Sequence, residues 1–143
     1  MGLFRFTPDS VYLSPAPLYH AAPLRWSMTV HKIGGTVVMM KKFDAEGALA
    51  AIEKYKATCS QWVPTHFVRM LKLPEDVRKK YDTSSLNCAI HAAAPCPMPV
   101  KRAMIEWWGP VFVDAYGASE VGTTCMITSE EWLTHPGSVG RSV

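Results

Sequence analysis

Residues 115–124 (AYGASEVGTT) carry the densest group of side chains that could bind a nucleotide together with a metal ion. Tyr116 offers a flat ring for a base, and Ser119 can donate a hydrogen bond to a phosphate oxygen. Glu120 is a hard oxygen ligand of the kind that Mg²⁺ accepts, and Gly117 allows a ligand to approach the backbone closely. A solvated turn after a strand would have a similar composition, so this segment alone fits both interpretations.

Residues 92–97 (AAAPCP) form a second candidate segment because nearly all of them are small. Ala92, Ala93 and Ala94 would let a flat ring lie against backbone amides just before Pro95. Close packing of a helix on a sheet also requires small residues. The composition therefore fits a ligand-binding wall and a packing role equally well.

Residues 14–23 (SPAPLYHAAP) form a third candidate segment, which contains His20. A single histidine beside apolar residues usually has a structural role, and facing a ligand is the alternative. Trp26 lies in the helical stretch that follows, where it belongs either to the core or to the wall of an apolar channel.

Short β-rich runs alternate with helical stretches along the chain. The predicted strands cover residues 11–14, 36–40, 60–63, 88–92, 111–115 and 125–128, and helices are predicted at about 24–33, after Asp44, after Pro64, at about 74–81 and around 100–107. This alternation predicts an α/β fold, a layered and mostly parallel sheet with helices on both faces. At 143 residues the chain has the length of one domain.

The three candidate segments each follow a predicted strand. In open α/β sheets, ligands bind outside the carboxyl ends of the strands. Because those ends lie at one edge of a parallel sheet, we expect the three segments to converge on one composite site.

The overall composition excludes several classes of protein. With 48% apolar residues, 19% charged residues and a net charge of +3, the chain is typical of globular proteins, and its basic residues are too scattered for nucleic-acid binding. No apolar run reaches the roughly 18–20 residues of a transmembrane segment, and no signal peptide is recognisable. The four cysteines form no CxxC pair and are expected to be free thiols in a cytoplasmic protein.

Taken together, these segments resemble the adenylate-forming superfamily of acyl-CoA synthetases, aryl-CoA ligases, luciferases and peptide-synthetase adenylation domains. Residues 116–120 (YGASE) match a YGxTE-like motif that follows a strand, and residues 92–95 (AAAP) match a small-residue stretch that precedes it. PLYHAAP, with His20, matches an upstream aromatic–histidine loop, and residues 137–140 (GSVG) match a later stretch. All matches follow the family's order, and within the family the chain is most similar to bacterial fatty-acyl-CoA synthetases.

The resemblance implies a role for each candidate residue. An adenine ring would be bordered by Ala92, Ala93, Ala94, Pro95, Ala115, Tyr116 and Gly117, with the tyrosine packing on the ring. Ser119 would contact the α-phosphate of ATP, and Glu120 would help to hold Mg²⁺. His20 and Trp26 would face the acyl chain. The implied enzyme is an ATP-dependent acid–thiol ligase, which converts a fatty or other carboxylic acid to acyl-AMP and then transfers the acyl group to CoA.

The sequence also departs from the family's pattern. Ser119 replaces the usual threonine, and alanines replace the more common glycines of the adenine loop. The family's phosphate loop with its lysine, its Thr-Gly-Asp motif and its small C-terminal domain with a catalytic lysine have no counterpart. We therefore expect residues 1–143 to form a partial AMP-binding domain, the middle segment of the family's large N-terminal domain, which is inactive alone and self-associates through exposed surfaces. The alternative is a stand-alone nucleotide- or acyl-binding module, or a structural module that assembles with other chains.

Overall fold

The structure, a computed structural model, describes residues 4–143, and a seven-stranded sheet organises them. In chain order the strands are β1 (Val11–Ser14), β2 (Thr36–Met39), β3 (Cys59–Trp62), β4 (Cys88–His91), β5 (Phe112–Ala118), β6 (Gly122–Thr128) and β7 (Arg141–Ser142). Their order across the sheet is β2-β1-β3-β4-β5-β6-β7. Strands β1 to β5 are parallel, whereas β6 is antiparallel to both β5 and β7. The predicted α/β fold with a mostly parallel sheet is confirmed.

Six helices accompany the sheet in the described part of the chain. They are α1 (Ala21–Lys32), α2 (Ala45–Tyr55), α3 (Pro64–Leu71), α4 (Glu75–Lys80), α5 (Met98–Trp108) and α6 (Ser129–Thr134). The start of α2 is the predicted one, because the Asp44 carboxylate accepts a hydrogen bond of 2.7 Å from the backbone N–H of Gly47. The predicted start of α3 is also confirmed, since Pro64 occupies its first turn.

Apolar side chains cover both faces of the sheet, as predicted. On one face, buried residues of α2, α3 and α5 pack around Trp62 of β3 and Phe112 of β5. On the other face, Trp26 and Val30 of α1 pack against Tyr12 of β1 and neighbouring strand residues. Because alternate strand residues point to opposite faces, each central strand contributes to both cores.

The predicted strand at residues 36–40 (TVVMM) is confirmed as β2. Strand β2 lies at the edge of the sheet, where Val37 and Val38 are half-buried and Met39 is 59% exposed. An apolar run alone does not distinguish a central strand from an edge strand, because both form backbone hydrogen bonds to at least one neighbouring strand.

Two of the predicted loops contain regular structure. Helix α1 begins at Ala21, inside the predicted 14–23 loop, because Pro23 is tolerated in a first turn that needs no backbone N–H donor there. The predicted 115–124 loop is a hairpin, in which β5 continues to Ala118 and β6 begins at Gly122. Strand pairing is offset between Tyr116 and Gly117, so the hairpin contains a β-bulge.

Helix α6 was not predicted at all. Its start is fixed by a capping box, in which the Thr128 side chain accepts from the N–H of Glu131 and the Glu131 carboxylate accepts from the N–H of Thr128. All four cysteines are free, and Cys59 and Cys88 are buried in neighbouring strands. Within residues 4–143, no helix is both long enough and apolar enough to cross a membrane.

Candidate functional site

A cavity of about 850 Å³ lies at the carboxyl ends of the parallel strands. Residues of all three predicted segments line it, together with side chains from α1 and from the hairpin of β5 and β6. The predicted site residues on its walls are His20, Trp26, Ala92, Ala93, Ala94, Pro95, Ala115, Tyr116, Gly117 and Ser119. Glu120 does not line the cavity but lies next to Ser119, exposed in the turn of the hairpin. The structure therefore brings the three segments together, as the sequence predicted.

The first wall of the cavity consists of the end of the 14–23 segment and the start of α1. His20 is the N-cap residue of α1, but its side chain makes no capping hydrogen bond, and its ring lies 4.4 Å from that of Tyr19. Trp26 lines the cavity and also packs on Phe6, with ring centroids 5.8 Å apart. Trp26 thus belongs to the core and also lines the cavity.

The second wall is the small-residue stretch after β4. Ala92 is anchored by a hydrogen bond of 3.2 Å from its N–H to the carbonyl of Trp62, and Ala94 and Pro95 are exposed. Ala93 has a φ of +79°, a backbone region that costs an L-residue with a side chain about 1 kcal/mol or more. Glycine adopts this conformation without that cost, so the alanine at this position introduces strain into the wall.

The third wall is the hairpin, which presents Tyr116 with 58% of its surface exposed. The backbone carbonyl of Tyr116 accepts a hydrogen bond of 3.1 Å from the Thr124 hydroxyl. Gly117 has no room for a side chain, because a methyl group placed there would lie 1.9 Å from the carbonyl oxygen of Gly122. The two strands therefore approach each other closely just beside the exposed tyrosine ring.

A buried charged cluster, which the sequence analysis missed, connects the second and third walls. The Lys101 ammonium group on α5 is fully buried and donates to the Asp114 carboxylate on β5. His91, at the end of β4, places Nδ1 3.4 Å from the same carboxylate oxygen without the alignment of a full hydrogen bond. The Lys101 ammonium also lies 5.2 Å from the ring centroid of Trp132 on α6.

This cluster is a buried ion pair beside the cavity. Burial on its own would raise the pKa of Asp114, but the neighbouring His91 ring and the Lys101 ammonium outweigh it and lower that pKa. Asp114 is therefore ionised at neutral pH and neutralised by the adjacent lysine. The burial of Lys101 has a signal in the sequence, because Lys101 shares a helical face with the apolar residues Met104, Ile105 and Trp108, which are buried.

The remaining polar groups on the walls do not indicate a nucleophile or a closed metal cage. Burial raises the pKa of the Cys96 thiol to about 11, so this cavity-lining residue is a thiol rather than a thiolate at neutral pH. Within residues 4–143, no three His, Cys, Asp or Glu side chains are grouped closely enough to hold a metal ion by themselves. Glu120 is therefore not part of such a group.

Comparison with known proteins adds independent evidence. The family described as "AMP-binding enzyme" matches this chain over residues 1–143. A probable CoA ligase of Humulus lupulus is 30% identical over 88% of this chain and 24% of its own length. A long-chain-fatty-acid–CoA ligase of Bacillus subtilis is 30% identical over 90% of this chain and 23% of its own length.

Solved structures agree with these sequence matches. The amide bond synthetase McbA of Marinactinospora thermotolerans superposes with a TM-score of 0.88 and 25% identity, covering 98% of this chain and 28% of its own. The chain thus spans about a quarter of the length of the proteins that it matches.

Proposed function

The chain belongs to the AMP-binding enzyme family, and from this premise we propose that its cavity is the adenylate site of an acyl-CoA synthetase. The observation that carries the proposal is the convergence of His20, the 92–95 stretch and the 115–119 stretch on one cavity. These residues are far apart in the chain, and the fold brings them to one cavity. Tyr116 is exposed on its wall rather than packed in the core, so its ring is available to a ligand.

In this proposal the second and third walls bind the nucleotide. The backbone of Ala92, Ala93 and Ala94 borders one side of the adenine ring, and Tyr116 packs on the ring from the hairpin. Small residues on one wall and an exposed aromatic ring on the other leave a flat space, which suits a purine. Ser119, on the same wall, donates a hydrogen bond to the α-phosphate in this proposal.

The acid would lie against the first wall, beside His20 and Trp26. A carboxylate oxygen attacks the α-phosphorus of ATP, the bond to the β-phosphate oxygen breaks, and acyl-AMP and pyrophosphate result. CoA thiol then displaces AMP to give the thioester. These residues contribute by orienting the two reactants and excluding water, since such positioning supplies much of the rate in reactions of this kind.

Glu120 is the residue that we assign to Mg²⁺. It lies in the turn directly after Ser119, so a metal ion held there would also contact the nucleotide phosphates. When bound, Mg²⁺ neutralises part of the phosphate charge and so makes attack by an anionic carboxylate easier. The exposed position of Glu120 is consistent with a metal ion held largely by its substrate and by water.

The finer points of the proposal concern substrate and setting. The Bacillus subtilis relative is named for long-chain fatty acids, and a fatty acid acting with CoA in the cytoplasm is the substrate class and setting that we propose for the whole enzyme. We do not expect the 143-residue chain to catalyse adenylation alone, because the matched relatives are about four times its length. Nucleotide binding is therefore the property to test.

Isothermal titration of AMP into the chain and its Tyr116→Ala variant tests the proposal. Loss of ring–base stacking should weaken AMP binding by about fivefold to a hundredfold, since such stacking contributes roughly 1–3 kcal/mol. Tyr116→Phe should retain most of the affinity because the ring remains. Tyr55→Ala is a matched control, because Tyr55 is a similarly exposed tyrosine on α2, away from the cavity. Absence of AMP binding, or equal affinity in Tyr116→Ala, would contradict the proposal.

A further inference from the structure

The charges on the cavity walls do not balance. In the described part of the chain, Arg25 and Asp114 are the only Arg, Lys, Asp or Glu side chains that line the cavity. The Asp114 carboxylate is already neutralised by Lys101. Arg25 has no ion pair and no side-chain hydrogen bond within residues 4–143. The cavity therefore presents one uncompensated positive charge.

The Arg25 side chain crosses from the first wall to the third. A methyl group built on Gly122 would lie 2.5 Å from one terminal guanidinium nitrogen of Arg25 and 3.1 Å from the other. Both terminal nitrogens thus lie against the hairpin backbone, where the absence of a side chain leaves room for them. Gly122 also has a φ of +78°, so glycine is favoured there on backbone grounds as well.

We propose that Arg25 is the oxyanion-binding residue of this cavity. A guanidinium group presents parallel N–H donors that match two oxygens of a carboxylate or a phosphate, and this geometry is stronger and more selective than a single ammonium contact. The bound oxyanion would be either a phosphate group of the nucleotide or the carboxylate of the acid. Both sources rest on the proposed function, whereas the oxyanion site itself does not.

The place of Arg25 relative to the other walls supports this assignment. Gly122, against which the guanidinium lies, is separated from Ser119 only by the turn of the hairpin, and both residues line the cavity. An anion held by Arg25 would therefore lie near the Ser119 hydroxyl and on the side of the hairpin that faces α1. The Arg25 side chain is exposed on the cavity wall, so an anion can reach its guanidinium group from solvent.

The direct test observes the arginine side chain itself. We expect ¹⁵N signals of the Arg25 guanidinium to shift on titration with inorganic phosphate or acetate at low salt, and these shifts should be absent in Arg25→Met. Lys32→Met removes a positive charge from the exposed last turn of the same helix, outside the cavity, and should leave the Arg25 shifts unchanged. If the Arg25 signals do not move, or if phosphate binding survives in Arg25→Met, the proposal is wrong.

Two pairs of ligands identify the source of the oxyanion. If Arg25 binds the phosphate, Arg25→Met should weaken AMP about tenfold to a hundredfold and leave adenosine unchanged. If it binds the acid, the same variant should weaken hexanoate but not hexanamide. The affinity of Arg25→Lys should lie between that of the wild type and that of Arg25→Met, because lysine keeps the positive charge but lacks the paired N–H donors of the guanidinium group. Equal losses for charged and neutral ligands would overturn the proposal.

The same measurements separate this inference from the proposed function. If AMP binds and depends on Tyr116 but Arg25→Met changes nothing, the oxyanion assignment fails and the adenylate site stands. If AMP does not bind but phosphate shifts the Arg25 signals, the oxyanion site stands and the adenine assignment fails. Because Arg25 is exposed, we expect the variants to unfold at the wild-type temperature, which a thermal scan checks.

Discussion

At the scale of single residues, the hairpin wall depends on a glycine with no space around it. A methyl group on Gly117 would lie 1.9 Å from the carbonyl oxygen of Gly122 and 2.9 Å from the Cα of Thr123, and both contacts involve backbone. Backbone atoms cannot rotate away as a side chain would. The close approach of the two strands, and with it the position of Tyr116, therefore requires glycine.

We predict that Gly117→Ala separates the two strands of the hairpin and weakens AMP binding. The overlap should cost about 1–3 kcal/mol of folding free energy, as other overpacked sites do, and the displaced ring should reduce AMP affinity. Gly109→Ala is the matched control, because a methyl group there meets nothing within 4 Å and only its φ of +82° opposes the change. We expect the control to lose stability without losing AMP affinity. Unchanged AMP affinity in Gly117→Ala would show that the hairpin geometry does not matter for binding.

At the scale of elements, helix α5 is tied to strand β5 by an ion pair inside the core. Lys101 is fully buried and does not line the cavity, and its ammonium group meets Asp114 between the second and third walls. Such a pair contributes little net stability compared with apolar residues of similar size, but removing one partner leaves a buried, unpaired charge. Its effect on stability is therefore strongly asymmetric.

We predict that Lys101→Met destabilises the fold by about 3–5 kcal/mol, whereas Lys101→Met combined with Asp114→Leu restores most of that loss. Chemical denaturation of the two variants measures the difference. Lys79→Met is the control, because its partner Glu75 is exposed on α4 and the change should alter the unfolding free energy little. If the double variant is as unstable as the single one, the unpaired charge is not the cause.

The elements also show what the sequence could and could not predict. Alternation of apolar strands with amphipathic helices predicted the parallel strands and the position of the cavity, because the carboxyl ends of such strands share an edge. The hairpin was not predicted because glycines such as Gly117 and Gly122 are typical of loops, whereas here they permit the two strands to approach closely. Helix α6 was missed although Thr128 and Glu131 have the spacing of a capping box.

Site residues could be predicted from the sequence only where their type is unusual for a loop or a helix. Tyr116 and the alanine stretch stood out by composition, whereas Arg25 and Lys101 resemble the basic residues found on any exposed helix face. Their importance depends on which atoms other parts of the chain place beside them. Strand register and helix orientation determine those contacts, and one sequence does not specify them directly.

At the scale of the whole molecule, the sheet has an open edge at β2. Strand β2 pairs only with β1, so half of its backbone groups have no strand partner in the described chain. Exposed apolar side chains occur on this edge strand and on helix α1, since Met39 of β2 is 59% exposed and Met28 of α1 is 62% exposed. Open edges and apolar patches of this kind favour association.

We predict that the chain self-associates through this edge. Multi-angle light scattering should give a mass above that of the 15.9 kDa monomer at high protein concentration. Met39→Lys should shift the protein toward the monomer, because a charge on an edge strand opposes pairing. Leu133→Lys, at an exposed position on α6, is the control and should not change the mass distribution. A monomer at every concentration would show that the open edge is already protected.

The bulge in the hairpin has a consequence for how this region can change in evolution. Thr124 is the additional residue, because Tyr116 pairs with Cys125 while Gly117 pairs with Thr123. Side chains alternate between the two faces of a strand, so one added or deleted residue reverses which face each later side chain occupies. A deletion at Thr124 would thus turn the tip of the hairpin over. The number of residues in β6 therefore determines which face of the hairpin tip is turned toward the cavity.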